Sequence, residues 1–300
     1  MTSDTPVGMS GRHSVAVFVV AVLLIATVTG CSSGSSAAPD SDPIVETTEL
    51  TTTTAAVTTT TAVPTTSTTA VLGSPPLAAG SLSGRIVVVD PGHNGQNYAH
   101  SAEINQQVNI GTKMKECDTS GTATYGGYTE TAHNWDVAQR LSMILRNAGA
   151  TVVFTRPDDN GWGPCITERA GIGNTAKGDL AVSIHADGGP DSGTGFHVLY
   201  PALITGMTEQ IVEPSLRLAI AIRDAYARGT GMPYASYLGS SALMARSDLG
   251  GLNLSKIPKV FLEAGNMRNS GDAAKLTDPA FRQLEAEALA AGIVAYLSPR

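Results

Sequence analysis

An α/β fold with one mostly parallel, twisted sheet flanked by helices is predicted by two features of the sequence. The first is a set of short, continuous apolar runs, such as residues 86–89, which is typical of strands buried on both faces. The second is the alternation of these runs with segments of helical periodicity, an order that favours a parallel sheet. Because no internal repeat is present, we expect a single folded domain.

The first predicted strand, residues 86–89, ends at a sharp turn made by Asp90, Pro91 and Gly92. Apolar residues recur at helical spacing over 131–148, and Gly149 ends that helix. The long polar stretch 94–128, which lies between them, is predicted to be irregular. The remaining predicted elements are strands at 151–154, 179–187, 195–200 and 259–263 and helices at 167–175, 214–228 and 278–297.

The N-terminal third of the chain has the organisation of an exported protein. Residues 1–31 contain a short apolar run that ends at Cys31, and this segment resembles a bacterial lipoprotein signal whose cysteine is lipidated. An uncleaved membrane anchor is the alternative. Residues 32–81 consist mostly of Thr, Ser, Ala and Pro and are predicted to be a disordered linker. The catalytic domain is expected over 82–300.

Composition restricts the functions that the domain can have. The chain has 300 residues, of which 42% are hydrophobic, and this content is ample for a core. Its formal net charge of −7 argues against a general nucleic-acid binder, which normally presents a basic surface. We therefore expect no nucleic-acid partner.

Four residues at strand ends or at a helix start are candidates for chemistry: His93, Glu130, His185 and Glu263. Ligands of open α/β sheets bind at the carboxyl ends of the strands, where both histidines are expected. Two histidines and a glutamate form an established zinc-ligand set, and a further carboxylate can act as a general base. Taken singly, His93 could be a surface-loop histidine, Glu130 a partner of a helix dipole and Glu263 an ordinary strand-end carboxylate.

From about residue 83 to 297 the chain resembles the zinc-dependent N-acetylmuramoyl-L-alanine amidases of the Amidase_3 type. VVVDPGHNG is similar to the first metal motif of that family and contains His93. Glu130 falls where the family places its glutamate ligand, and SIHAD, with His185, resembles the SIHAN or SIHAD segment. VFLEAGNMRN resembles the last motif and places the catalytic glutamate at Glu263.

The resemblance implies one Zn²⁺ per chain, held by His93, Glu130 and His185. It also implies that Glu263 takes a proton from water and passes it to the departing alanine nitrogen, so that muramic acid is separated from the stem peptide. Peptidoglycan or muropeptides are then the expected substrates of a monomer. Together with Cys31, this implies a lipoprotein on the outer face of the cytoplasmic membrane, with a secreted or periplasmic enzyme as the alternative.

The assignment of Cys31 to lipidation leaves two of the three cysteines for other roles. Cys117 and Cys165 then form an even pair in an oxidising compartment, which favours a disulfide. Two unreactive thiols are the competing interpretation, and metal ligation is a weaker one because neither residue has a cysteine neighbour at zinc-finger spacing.

Two other functions remain open alongside the amidase. One is a non-catalytic peptidoglycan-binding lipoprotein on an amidase fold, and the other is a zinc peptidase that cuts within the stem peptide. The presence of Glu263 favours an enzyme. Among the other histidines, His197 is as consistent with a cleft position as with a half-buried strand position, whereas His100 and His133 are interpreted as surface or helix-face residues.

Overall fold

The computed structural model describes residues 73–298. The predicted signal segment, Cys31 and residues 32–72 of the predicted linker therefore lie outside the described residues. Over residues 73–298 no helix is both long enough and apolar enough to cross a bilayer. Leu82 is buried where the domain is expected to begin, and Leu77, five positions upstream, also packs against the hydrophobic core.

The strands and helices alternate along the chain. The strands are β1 (Ile86–Pro91), β2 (Gln107–Asn109), β3 (Met114–Glu116), β4 (Thr151–Phe154), β5 (Leu180–Asp187), β6 (His197–Pro201), β7 (Leu243–Arg246) and β8 (Lys259–Asn266). The helices are α1 (Ser101–Ile104), α2 (Glu130–Asn147), α3 (Ile166–Ala176), α4 (Val212–Thr230), α5 (Gly250–Asn253), α6 (Ser270–Leu276) and α7 (Pro279–Leu297), with a short 3₁₀ turn at Asn97–Ala99.

A six-stranded sheet in the order β4-β1-β5-β8-β6-β7 forms the centre of the domain. Every neighbouring pair in it is parallel except β8 and β6, which run antiparallel. The predicted α/β class with a mostly parallel sheet is therefore confirmed. The strand predicted at 259–263 is longer than expected and continues to Asn266.

Alternate residues of the central strands face two different environments, because side chains in a strand point to opposite faces in turn. Val182, Ile184 and Ala186 of β5 join the core formed with α2, α4 and α7. Ser183 and His185 point to the other face, on the side of α3, where Gly173 lies against Val88. The sheet thus separates a mainly apolar layer from a layer that carries the residues of the candidate site.

The stretch predicted to be irregular, 94–128, contains more regular structure than expected. It forms the 3₁₀ turn, α1 and an antiparallel hairpin of β2 and β3. These elements are three or four residues long and largely exposed, so they carry no periodic apolar pattern from which they could be predicted. The sequence also did not predict β7, α5 or α6, of which β7 and α5 are only four residues long.

A disulfide joins Cys117, which follows the hairpin, to Cys165, which precedes α3. The pairing expected from the cysteine count is thus present. The junction is reinforced by the backbone N–H of Ile166, which donates to the carbonyl oxygen of Cys117 at 2.8 Å. Because Asp118 is the next residue, the disulfide holds this carboxylate against the end of β1.

Replacement of both cysteines by serine should destabilise the domain without unfolding it. The disulfide spans a sequence separation of 48 residues. Closure of such a loop restricts the unfolded chain by about 4 kcal/mol, so the Tm should fall by roughly 10 °C. Thermal unfolding of the parent and of Cys117→Ser/Cys165→Ser, each with and without reductant, checks this. Only the parent should respond to reductant. Equal Tm values for the parent and the variant in the absence of reductant would contradict the expectation.

Candidate metal centre

His93, Glu130 and His185 come together at the carboxyl edge of the sheet. Their ligand atoms all lie within 4.8 Å of one another. One oxygen of Glu130, Oε1, is 2.9 Å from Nδ1 of His185 and 3.3 Å from Nε2 of His93. The structure therefore gathers the three residues that the sequence suggested as ligands around a single point.

The donor set and its spacing fit Zn²⁺. Zinc binds imidazole nitrogen and carboxylate oxygen at about 2.0–2.2 Å in a tetrahedron, which separates neighbouring donors by roughly 3.3 Å. The observed nitrogen–oxygen distances of 2.9 and 3.3 Å are close to this spacing. The second carboxylate oxygen of Glu130 accepts from the backbone N–H of Thr122 at 2.9 Å, which leaves Oε1 to face both histidines.

The orientation of His93 is fixed by residues outside the ligand set. Its backbone has a positive φ of 57°, a conformation that costs a non-glycine residue about 1–3 kcal/mol. Nδ1 of the ring contacts Oδ1 of Asp118 at 2.9 Å, so that Nε2 is directed at Glu130. A carboxylate on the far nitrogen is the usual partner of a metal-binding histidine, because it sets the tautomer and the orientation of the ring.

Two glycines leave room for the ligands. A Cβ atom at Gly92 would overlap the imidazole ring of His185. A Cβ atom at Gly121, where φ is 76°, would lie 2.7 Å from Oε2 of Glu130 and 3.0 Å from Cδ2 of His93. On the opposite side of His185, the ring of Phe261 stacks at 5.1 Å with an interplanar angle of 4°. Close packing on both sides thus leaves the His185 ring a single position.

Glu263 lies beside His185 in the sheet. The two residues are register partners across β5 and β8, and His197 is the partner of Glu263 on β6. Side chains of such partners stand on the same face with their Cβ atoms about 5 Å apart. Glu263 therefore sits next to a candidate metal ligand without belonging to the three-residue cluster.

The two glutamates have opposite electrostatic environments. Although burial raises the pKa of Glu130, the adjacent His93 and His185 hold it well below its ordinary value. Burial raises the pKa of Glu263 well above its ordinary value, and the carboxylates of Glu130 and Asp187 raise it further. A pair of carboxyl groups whose pKa values are driven apart is the arrangement that separates a permanently charged role from a proton-transfer role.

His93 carries a strongly held proton when it faces Glu130. Burial lowers the pKa of His93, but Glu130 and Asp118 outweigh this effect and raise it to about 10. A metal ion that binds here must therefore displace a proton from the ring, so metal affinity should decrease as the pH falls.

Arg169 supports the end of β1 beneath the site. Its guanidinium donates to Oδ1 of Asp90 at 3.0 Å, to the carbonyl oxygen of Pro91 at 2.8 Å and to that of His93 at 2.6 Å. Lys259 of β8 donates to the other oxygen of Asp90 at 2.7 Å. The pKa of Asp90 is accordingly held far below its ordinary value by Lys259 and Arg169, despite the opposing effect of burial.

Several contacts of this neighbourhood were not predicted from the sequence. Asp118 lies in the stretch predicted to be irregular, and no motif marked it as a partner of His93. His133 does lie on a helix, α2, but the alternative that it is a surface residue was wrong, because its side chain is fully buried. His197 is buried too, with Nδ1 lacking a hydrogen-bond partner among the described residues.

Comparisons with known proteins agree with this geometry. Residues 87–295 match the Amidase_3 family model, described as N-acetylmuramoyl-L-alanine amidase. An N-acetylmuramoyl-L-alanine amidase of Mycobacterium tuberculosis is 39% identical over 229 residues, which are 76% of this chain and 92% of that protein. A crystal structure of an N-acetylmuramyl-L-alanine amidase from Mycobacterium abscessus is 47% identical, with a TM-score of 0.68 over 72% of this chain and 100% of that one. Its counterpart from Mycobacterium smegmatis is 42% identical, with the same TM-score over 72% of this chain and 98% of that one. The chain therefore belongs to the Amidase_3 family of N-acetylmuramoyl-L-alanine amidases.

Proposed function

We propose that the protein is a zinc-dependent amidase that hydrolyses the bond between N-acetylmuramic acid and L-alanine in peptidoglycan. The observation that carries the proposal is the convergence of three zinc-type donors on one point, with a separate carboxylate in register beside them. Membership of the amidase family supports the choice of this bond. The related mycobacterial proteins, which are named for this activity, support the same assignment.

In this proposal His93, Glu130 and His185 are the protein ligands of zinc. A bound Zn²⁺ supplies Lewis acidity, which polarises a carbonyl group and acidifies water, and its charge favours the ionised form of Glu263. Asp118 keeps His93 in the tautomer with Nε2 free for the metal. Phe261 and the absence of a side chain at Gly92 keep the His185 ring in place.

Glu263 is the general base and acid of the proposed reaction. Its carboxylate takes the proton of the attacking water and returns it to the nitrogen of the departing alanine, so that the amide C–N bond breaks and a carboxylate and an amine are released. Burial and the carboxylates of Glu130 and Asp187 raise its pKa, which favours the uptake of a proton from water. Its register pairing with His185 supports this role.

The cellular setting is part of the same proposal. Export followed by lipidation at Cys31 would tether the domain to the outer face of the cytoplasmic membrane, and the Thr- and Ser-rich segment would allow it to reach the wall. The domain would act there as a monomer in cell-wall remodelling or turnover. Secretion without the lipid anchor is the alternative.

The domain from residue 73 should bind one zinc ion, and His185→Ala should abolish stoichiometric binding. Two remaining ligands cannot hold a structured open site. Metal content after dialysis against limiting zinc measures this directly. His100→Ala is the matched control, because His100 lies outside the cluster and is partly exposed beside Glu103. A full equivalent of zinc in His185→Ala would remove this residue from the ligand set.

Glu263→Gln should keep zinc and fold but lose hydrolysis. The substitution preserves volume while it removes the group that accepts the proton, and general-base contributions are typically 10²–10⁴-fold. Mass analysis of the products from a defined muropeptide, with metal content and Tm measured in parallel, tests this. Glu213→Gln, on the exposed surface of α4, serves as the control.

The same experiment separates the competing functions. Hydrolysis by Glu263→Gln at the parent rate would refute the assigned mechanism. Cleavage by the parent within the peptide, rather than at the muramic acid–alanine bond, would identify a peptidase. A zinc-loaded parent that binds muropeptide and never cleaves it would be a binding protein on an amidase fold.

A further inference from the structure

A fully buried polar cluster lies under the site, on the otherwise apolar face of the sheet. It consists of His133 on α2, Tyr226 on α4 and Glu285 on α7, and none of the three side chains is exposed. Nε2 of His133 contacts Oε2 of Glu285 at 3.0 Å. The hydroxyl of Tyr226 donates to Oε1 of Glu285 at 2.5 Å. We call these three residues the buried triad.

One end of the buried triad leads to the candidate metal ligands. Nδ1 of His133 contacts Oδ1 of Asn134 at 3.1 Å. The amide of Asn134 in turn donates to the carbonyl oxygen of Gly92 at 3.3 Å and lies 3.5 Å from Oε1 of Glu130. Gly92 immediately precedes His93, so this branch touches the segments of two ligands.

The other end leads to the strand that carries the proposed general base. The hydroxyl of Tyr226 lies 3.0 Å from the carbonyl oxygen of Ala264, the residue that follows Glu263 on β8. The side chain of Ala264 belongs to the apolar core, whereas that of Glu263 points to the opposite face. The single hydroxyl proton of Tyr226 is shared between Glu285 and the carbonyl oxygen of Ala264. The buried triad is therefore a continuous chain of polar contacts between the Glu130 end of α2 and the Glu263 segment of β8.

Stability alone does not account for this cluster. Burial lowers the pKa of His133, yet Glu285 raises it overall, and the 3.0 Å contact between Nε2 and Oε2 favours a buried ion pair. Replacement of such a pair by apolar residues of similar volume is often neutral or stabilising, whereas loss of one partner is strongly destabilising. The surrounding positions of α2, α4 and α7, such as Val137, Leu218 and Leu289, are already apolar. The polar side chains add hydrogen bonds, whose preferred distances and angles constrain the partner groups more narrowly than apolar contacts do.

We propose that the buried triad is a positioning network that sets the metal ligand Glu130 and the base Glu263 relative to each other. This inference rests on the roles proposed above for those two glutamates. Through Asn134, His133 and Glu285 orient the Glu130 carboxylate and the Gly92 carbonyl. Through its contact with the backbone carbonyl of Ala264, Tyr226 fixes the position of the neighbouring Glu263 backbone along β8. The three residues touch neither metal nor substrate and act through the groups they hold.

The first test replaces the ion pair as a unit. His133→Leu/Glu285→Leu should keep the parent Tm within a few degrees, while zinc affinity falls by roughly 10–100-fold, the usual effect of losing an outer-shell partner. The single variant Glu285→Leu should instead lower the Tm by roughly 10 °C, because it leaves the His133 ring and the Tyr226 hydroxyl buried without their shared partner. His133→Gln/Glu285→Gln restores hydrogen bonding without charge and should return zinc affinity to nearly the parent value.

Zinc affinity is measured by competition with a chelator on the metal-free domain, so this readout needs no activity. Glu213→Gln/Arg217→Gln removes an exposed ion pair from α4 and is the matched control. Parent-like zinc affinity in the double leucine variant would overturn the proposal for Glu130. An equal loss of affinity in the surface control would overturn it too, since the effect would not be specific to the buried triad.

The second test uses Tyr226→Phe, which removes one hydroxyl group and leaves the packing intact. At saturating zinc its kcat on a defined muropeptide should fall roughly tenfold with KM and zinc affinity unchanged, because a base displaced by a fraction of an ångström still leaves the ligands in place. An unchanged kcat would overturn the link to Glu263. If the parent binds zinc but never hydrolyses muropeptide, the proposed function fails, whereas the zinc-affinity comparison still decides the role of His133 and Glu285.

Discussion

The guanidinium of Arg169 is the constraint on which the site depends. In one buried position it satisfies Oδ1 of Asp90 and the carbonyl oxygens of Pro91 and His93, and it also approaches Asp118 and the carbonyl oxygen of Gly163. Five donors in a rigid plane suit this task in a way that a lysine ammonium does not. The contacts hold the strand end, the disulfide-bonded segment and the loop before α3 in one arrangement. The left-handed backbone of His93 persists because this surrounding structure determines it.

The carboxylates near the candidate metal centre differ in their charge partners. Asp90 is neutralised by Arg169 and Lys259, Asp118 faces His93, and Glu130 faces both histidines. Glu263 is the one of these acids whose pKa is raised rather than lowered. The same protein environment therefore favours the charged form of Glu130 and the protonated form of Glu263, and the difference comes from their neighbours, since both residues are glutamates.

The parts of the structure that sequence predicted are those with a local signal. Apolar runs identified the long strands, and the turn after β1 indicated the position of His93. The hairpin of β2 and β3 has too few apolar residues to give such a signal. The contact between His133 and Glu285 joins positions 152 residues apart, so a helix-face histidine looked like a surface residue until its partner was known. Sequence could suggest which residues carry the chemistry, but not which residues hold them in place.

The register of β5 against β8 connects these observations. Paired with Glu263, His185 points to the polar face, while Ile184 and Ala186 enter the apolar core. A shift of one residue would turn the imidazole into that core and expose the aliphatic side chains, so burial of the apolar face enforces the register that the site requires. The β-bulge between His185 and Asp187 lies beyond this pair along the strand, so it does not change the pairing of His185 with Glu263. Hydrophobic packing thus selects the alignment of the face that carries the candidate site, and the polar contacts of Arg169 hold the end of β1 within it.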